Sequence, residues 1–178
     1  MKIRLLFLSL LCCSAFVVLD CAAQKEENIW VFGQWAGIDF SSGSPVALTD
    51  STAINAIHGT ASVCDANGQL LFYTDGDRVW NRDHDLMPNG ILFNSTVGTY
   101  FSGANQNACI VPIPDNSDRY YVFSLENTTS TVGARLTYSI VDMALDGGLG
   151  DVVSGQSRIR VDSPTLFTEK MTAVAGDS

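Results

Sequence analysis

From Ile29 onward the chain is built of short apolar runs, rich in aromatic and β-branched residues and broken every few positions by Gly, Asn, Asp or Pro. No segment after the first two dozen residues carries apolar positions at helical spacing over a helix length, so the pattern predicts an all-β protein. The expected strands are "IWVFG", "AGIDF", "TASVCD", "QLLFYTD", "RVWNR", "ILF", "ACIVPI", "RYYVFSLE", "RLTYSIVDM", "SRIRVD" and "KMTAV". Between them, Asn67-Gly68 and Asp75-Gly76 read as tight hairpin turns, in which both residues can take positive φ. The stretches Pro114 to Arg119 and Leu145 to Asp151 read as further turns.

A faint internal repeat organises these strands. "TASVCDANGQLLFYTDGDRVWNRDHDL" runs as small-residue strand, turn, aromatic strand, turn and strand. "NACIVPIPDNSDRYYVFSLENTTSTVGARLTYSIVDMAL" keeps that order with a longer second turn, and "EKMTAVA" opens like a third unit. Units of roughly 45–60 residues with about four strands each fit propeller blades, so the expected fold is a partial β-propeller of about three four-stranded antiparallel blades. A β-sandwich is the alternative. Closed propellers take roughly four to eight blades, and so the domain at 24–178 is expected to be truncated, a part of a longer one.

The first 23 residues form a separate signal. Lys2 and Arg4 precede the apolar run Leu5–Leu19, and "DCAAQ" offers small residues for cleavage after Ala23. A basic start, a short apolar core and a small-residue site make a secretory signal peptide, too short to span a bilayer as a helix. Cys21 raises a rival outcome, cleavage before a lipidated cysteine that anchors the product; Asp20 in front of it disfavours that processing. The formal net charge is -9, and loss of Lys2, Arg4 and Asp20 makes it more negative still. Such a surface repels nucleic acid and anionic headgroups. Cys64 and Cys109 remain, either as a disulfide suited to an exported protein or as two buried thiols in strands.

The stretch Leu70 to Gly90, "LLFYTDGDRVWNRDHDLMPNG", concentrates acids, bases and aromatics. Asp75, Asp77, Asp83 and Asp85 supply carboxylates for glycoside hydrolysis or for calcium, but all are flanked by turn residues. "TDGDRVWNRDHD" misses the spacing of a calcium loop, and Arg78 and Arg82 compete for its charge. "SVCDANGQL" departs from the Ser-x-Asp-x-Gly-x-x-Trp turn of sialidase propellers. His58 and His84 are the only histidines, His58 before an inner strand and His84 in a polar turn, with no Gly-x-Ser-x-Gly elbow to partner them. Cysteines and histidines lack zinc spacing. Trp80, Trp30 and Trp35 read first as packing residues and second as ligand platforms. Asn94 and Asn127 match the glycosylation pattern but read as polar loops. No phosphate loop, dinucleotide motif or basic patch is present. The expectation is therefore no catalytic, cofactor-binding or metal-binding residues.

"WVFGQWAGIDFSSGSPVALT", "DANGQLLFYTDGDRVWNRDHDLMPNG", "YSIVDMALDGGLGDV" and "TEKMTAV" together resemble the N-terminal region of large secreted proteins of gliding bacteria. Those gliding-motility-associated proteins join a propeller-like, WD-repeat-like region to a C-terminal sorting domain read by the type IX secretion system. The resemblance implies export, a cell-surface or secreted location and a binding or scaffold role toward a cell-envelope protein or glycan. It supplies no catalytic residues. The alternative function is the N-terminal fragment of a secreted carbohydrate-active enzyme.

Overall fold

A computed structural model of the chain describes residues 25–93, 106–127, 134–161 and 170–173. Residues 1–23, where a signal peptide is expected, lie outside the described residues with Cys21, as does Asn94.

The described chain is all-β, in three antiparallel sheets, none closed on itself. The first sheet is the meander β1 (Ile29–Phe32), β2 (Ala36–Asp39) and β3 (Val46–Thr49). The second is β4 (Ala61–Cys64), β5 (Leu70–Thr74), β6 (Arg78–Asn81) and β7 (Leu86–Ile91), again in chain order. The third orders β8 (Ala108–Ile113), β9 (Asn116–Asn127), β10 (Ala134–Asp142) and β11 (Asp151–Val152), while β12 (Ile159–Arg160) also pairs β10. The expected strands fall in these sheets except "ILF", of which only Ile91 is strand, at the end of β7, and "KMTAV", whose described residues 170–173 are not strand. β7, "LMPNGI", was not anticipated before Ile91, and two further strands were not anticipated. β3, "VALT", has a single apolar position that is even half-buried, and β11 is two residues long.

Alternation places the core. In the second sheet Val63, Phe72 and Val79 point one way and pack with Met87 and Leu92 against Tyr120, Val122, Val141, Met143 and Val152 of the third sheet. Tyr73 and Trp80 point the other way, onto Val31 of β1 and onto Ile54 and Ala56 in the connection to β4. The second sheet is thus buried on both faces, and the sheets lie in series, first on second on third. Phe72 meets Tyr120 edge to face at 5.4 Å, and Tyr73 stacks on Trp80 at 5.5 Å, arrangements that add to the burial itself.

The turns are built by side chains more than by paired positive φ. At Asp65 to Gln69 only Gly68 takes positive φ (87°), its N–H reaching the Asp65 carbonyl at 2.8 Å. That is a type I turn closed by a left-handed glycine, with Asp65 Oδ1 accepting the N–H groups of Asn67 and Gln69. The Asp75-Gly76 hairpin is also longer than two residues: Thr74 pairs with Val79, and only Gly76 is left-handed. Asp75 stays at negative φ because its carboxylate accepts the N–H groups of Asp77 and Arg78, which fixes the wider turn.

Candidate functional site

The density of charge in Leu70 to Gly90 resolves into turn chemistry. Asp75 serves its own loop. Asn81 Oδ1 accepts the N–H groups of Asp83 and Asp85, so the "RDHD" loop is organised by the asparagine before it and its two aspartates stand exposed. Among the described residues no three His, Cys, Asp or Glu side chains gather as metal ligands. Asp75 lies largely out of solvent. Burial pushes its carboxyl up, opposed by the N–H groups of Arg78 and Asp77.

The two histidines are far apart in role. His58 is half-buried in the connection before β4, not in the strand. His84, held at φ 68°, brings Nδ1 to 3.1 Å from the Tyr73 hydroxyl. That hydroxyl accepts the Ala53 N–H at 2.9 Å, which leaves its own proton to donate to His84 Nδ1. Tyr73 is fully buried, and burial raises its phenol. The relay Ala53–Tyr73–His84 ties the connection to β4 onto the second sheet. It was missed in the sequence because its members are separated by turns; the signal present was a tyrosine ending the apolar run Leu70–Phe72, which needs a partner for its hydroxyl when buried.

The tryptophans divide. Trp80 is a core residue, 7% exposed, as its place in an aromatic strand predicts. Trp30 and Trp35 lie outside the core, 50% and 46% exposed. Trp30 sits with Phe32 on the face of β1 opposite Val31, and Trp35 occupies the β1–β2 turn at φ 55°. Trp30 has the Phe40 ring edge-on at 5.2 Å.

Cys64 and Cys109 are free thiols in β4 and β8. Burial pushes both upward, against N–H groups directed at them from Ile29 and Asn28 for Cys64 and from Ala173 for Cys109.

Among the described residues a shallow groove of about 340 Å³ lies between the edge strands β7 and β11, lined by Pro88, Asn89, Ile91, Val153, Ser154 and Ser157 among others. Asp151, just before the lining residue Val152, ties its two walls together. The Asp151 carboxylate accepts the Asn89 backbone N–H at 2.8 Å and the Asn89 Nδ2 at 2.6 Å, and joins the two strands where no ladder exists. Asp151 is thereby consumed, and the groove offers hydroxyls, backbone groups and the half-exposed Ile91 (53%). That set suits an uncharged, hydrogen-bonding ligand held against apolar surface. No helix among the described residues is long and apolar enough to cross a membrane. Comparison with family models, with curated proteins and with solved structures gave no match.

Proposed function

We propose that this chain is a binding or scaffold module of the bacterial cell envelope, exported by its signal peptide, without catalytic activity of its own, and built from consecutive blades of a β-propeller. The observation that carries the reading is the serial stack. In a propeller each four-stranded meander packs both faces on its neighbours and the first strands line the axis. Here the second sheet is covered on both faces, and its first strand β4 lies against both β1 and β8. A two-sheet sandwich leaves each sheet one solvent face, which the second sheet lacks. The resemblance to gliding-motility-associated surface proteins adds export and an envelope partner. The acids of Leu70 to Gly90 are engaged in turns or exposed apart, which favours recognition over hydrolysis.

The groove between β7 and β11 is the surface assigned to a glycan or an extended segment of an envelope protein. The test is co-sedimentation of the purified chain with peptidoglycan sacculi and with outer-membrane vesicles of a gliding bacterium. Binding that Ile91→Lys abolishes while the melting temperature is unchanged supports the reading. Release of reducing sugar from the sacculi overturns the non-catalytic assignment, and binding indifferent to Ile91→Lys overturns the groove.

A further inference from the structure

The strands run so that the turns at 65–69, 82–85, 114–115 and 143–150 share one end of the molecule. There Arg82 of the β6–β7 turn donates to the Gly148 carbonyl of the β10–β11 turn, while Ser124 clamps Gly76 at the opposite end. The 3-10 turn Lys25–Glu27 leans on the first of these turns. Gly68 lies so close to the Asn28 side chain that a Cβ would overlap it, with Lys25 beside it. These segments and the start of β9 bring carboxylates to that end, Glu26, Asp65, Asp83, Asp118 and Asp146 among them. Of the bases there, Arg82 is directed at Gly148, and Arg119 pairs with Asp142 at 2.7 Å. Glu26, Asp65 and Asp118 make no ion pair among the described residues.

Acids at turns are ordinary, and Tyr120 is what sets these apart. Asp118 stands two residues before Tyr120 on β9, on the side of that strand that faces the second sheet. The Tyr120 ring packs edge-on to Phe72 in the seam, and the residue is 7% exposed. Its hydroxyl has no hydrogen-bond partner among the described residues, although a buried phenol ordinarily finds one. Burial raises this phenol, and the carboxylates of Asp118, Glu26 and Asp65 raise it further, so the hydroxyl stands among acids drawn from three separate segments. The Gln69 N–H holds the Asp65 carboxyl low, which preserves its charge. Among the described residues no acids converge closely enough to ligate a metal, and their spread suits a larger cation. A guanidinium presents five N–H donors over a plane and can meet a hydroxyl and separate carboxylates together.

We propose that this end of the molecule docks a basic segment of a partner protein, an arginine of which donates to the Tyr120 hydroxyl between Glu26, Asp65 and Asp118. The formal net charge of -9 draws such a segment in from a distance, and the unpartnered hydroxyl with its three carboxylates fixes where the arginine stops. Binding of this kind weakens as salt rises. The site is separate from the groove between β7 and β11 and does not rest on the ligand assigned there.

Isothermal titration calorimetry of the purified chain with a short capped oligoarginine peptide, at low and high salt, gives the test. Binding is expected at low salt and should fall away at high salt. Tyr120→Phe, which changes no charge, and Asp118→Asn should each weaken it by about tenfold. Asp50→Asn removes the same charge from an exposed position just after β3, at the opposite end, and should change binding by less than about twofold. Since the Tyr120 hydroxyl bonds nothing within the described chain, Tyr120→Phe should not lower the melting temperature of the free protein. Absence of binding at low salt overturns the proposal. Equal responses to Asp50→Asn and Asp118→Asn would be an effect of overall charge and overturn it too. So does binding indifferent to Tyr120→Phe, a Tyr120→Phe variant that melts below the parent, or calcium binding that Asp118→Asn abolishes, which would make the cluster a metal site.

Discussion

The Ser62 hydroxyl donates to the Ile29 carbonyl at 2.7 Å and accepts the Val31 N–H at 3.3 Å. Thr60, two residues earlier, donates to the Val31 carbonyl at 2.7 Å. The free edge of β1 would otherwise present unpaired backbone groups to a buried seam, and hydroxyls from β4 and the residue just before it satisfy them where no neighbouring strand does. Ser62→Ala should therefore lower stability by about 1–2 kcal/mol, the cost of leaving a partly buried carbonyl without a donor. Chemical denaturation gives the magnitude, and faster hydrogen exchange at the Val31 amide locates it. Loss of stability without that local change would place the effect elsewhere.

Gly76 has a φ of 88°, and a Cβ there would stand 2.9 Å from Asn107 Nδ2, itself bonded to the Asp75 carbonyl at 2.7 Å. Ser124 also donates to the Gly76 carbonyl at 2.9 Å, so this hairpin of the second sheet is clamped by the third. Gly76→Ala must bear left-handed strain of about 1–2 kcal/mol and displace Asn107 as well. A thermal melt should show a loss of at least that size, whereas Gly43→Ala, at an open left-handed position, should show the strain alone.

Tyr73→Phe keeps the ring on Trp80 but removes the hydroxyl between Ala53 and His84. The Ala53 N–H then lacks its acceptor, and a loss of about 1–3 kcal/mol is expected. The double variant with His84→Ala measures the coupling. If His84 acts only through Tyr73, the second substitution should add little to the first.

Asp75 gives a pH signature. Unfolded, it titrates near the ordinary value of about 3.9; folded, burial holds it higher. Between those values the folded state binds more protons than the unfolded, so this group's contribution to stability falls as pH rises through that window. Its cost is complete above the folded value and absent below the unfolded one. Asn at this position keeps the acceptor oxygen for Asp77 and Arg78 without the charge. Asp75→Asn should melt above the parent at pH 7 and level with it near about pH 3. Asp75→Ala should lose about 1–3 kcal/mol at both, since two N–H groups lose their acceptor. A parent more stable than Asp75→Asn at neutral pH would show the carboxylate's charge to be favourable.

Strand positions were legible in this sequence because alternation and turn residues are local signals. The Leu70 to Gly90 stretch shows the limit on each side. Its hairpin was readable from Asp75-Gly76, but its width was not, because that depends on where the Asp75 side chain spends its hydrogen bonds. Trp80 read correctly as core since its strand is apolar on both sides, Val79 and Trp80 being buried in opposite directions. Trp30 was placed in the core because an aromatic in a short strand such as "IWVF" carries no mark of which face is covered; that is decided by how the sheets stack. β3 escaped notice for the same reason, since with one face open it needs little apolar patterning. The groove between β7 and β11 depends on Asn89 and Asp151, far apart in the chain, and no spacing rule announces such a pair.

The arrangement of the sheets also sets how the molecule comes apart. With the first and third sheets each held by one neighbour and the second by two, cooperativity runs along the stack in nearest-neighbour steps, as in repeat arrays. The outer sheets can peel away singly, whereas opening β5 and β6 requires both seams to be lost. Amides of Phe72, Tyr73 and Trp80 are thus the ones whose exchange should report global unfolding, and the termini of the stack are where partial opening begins.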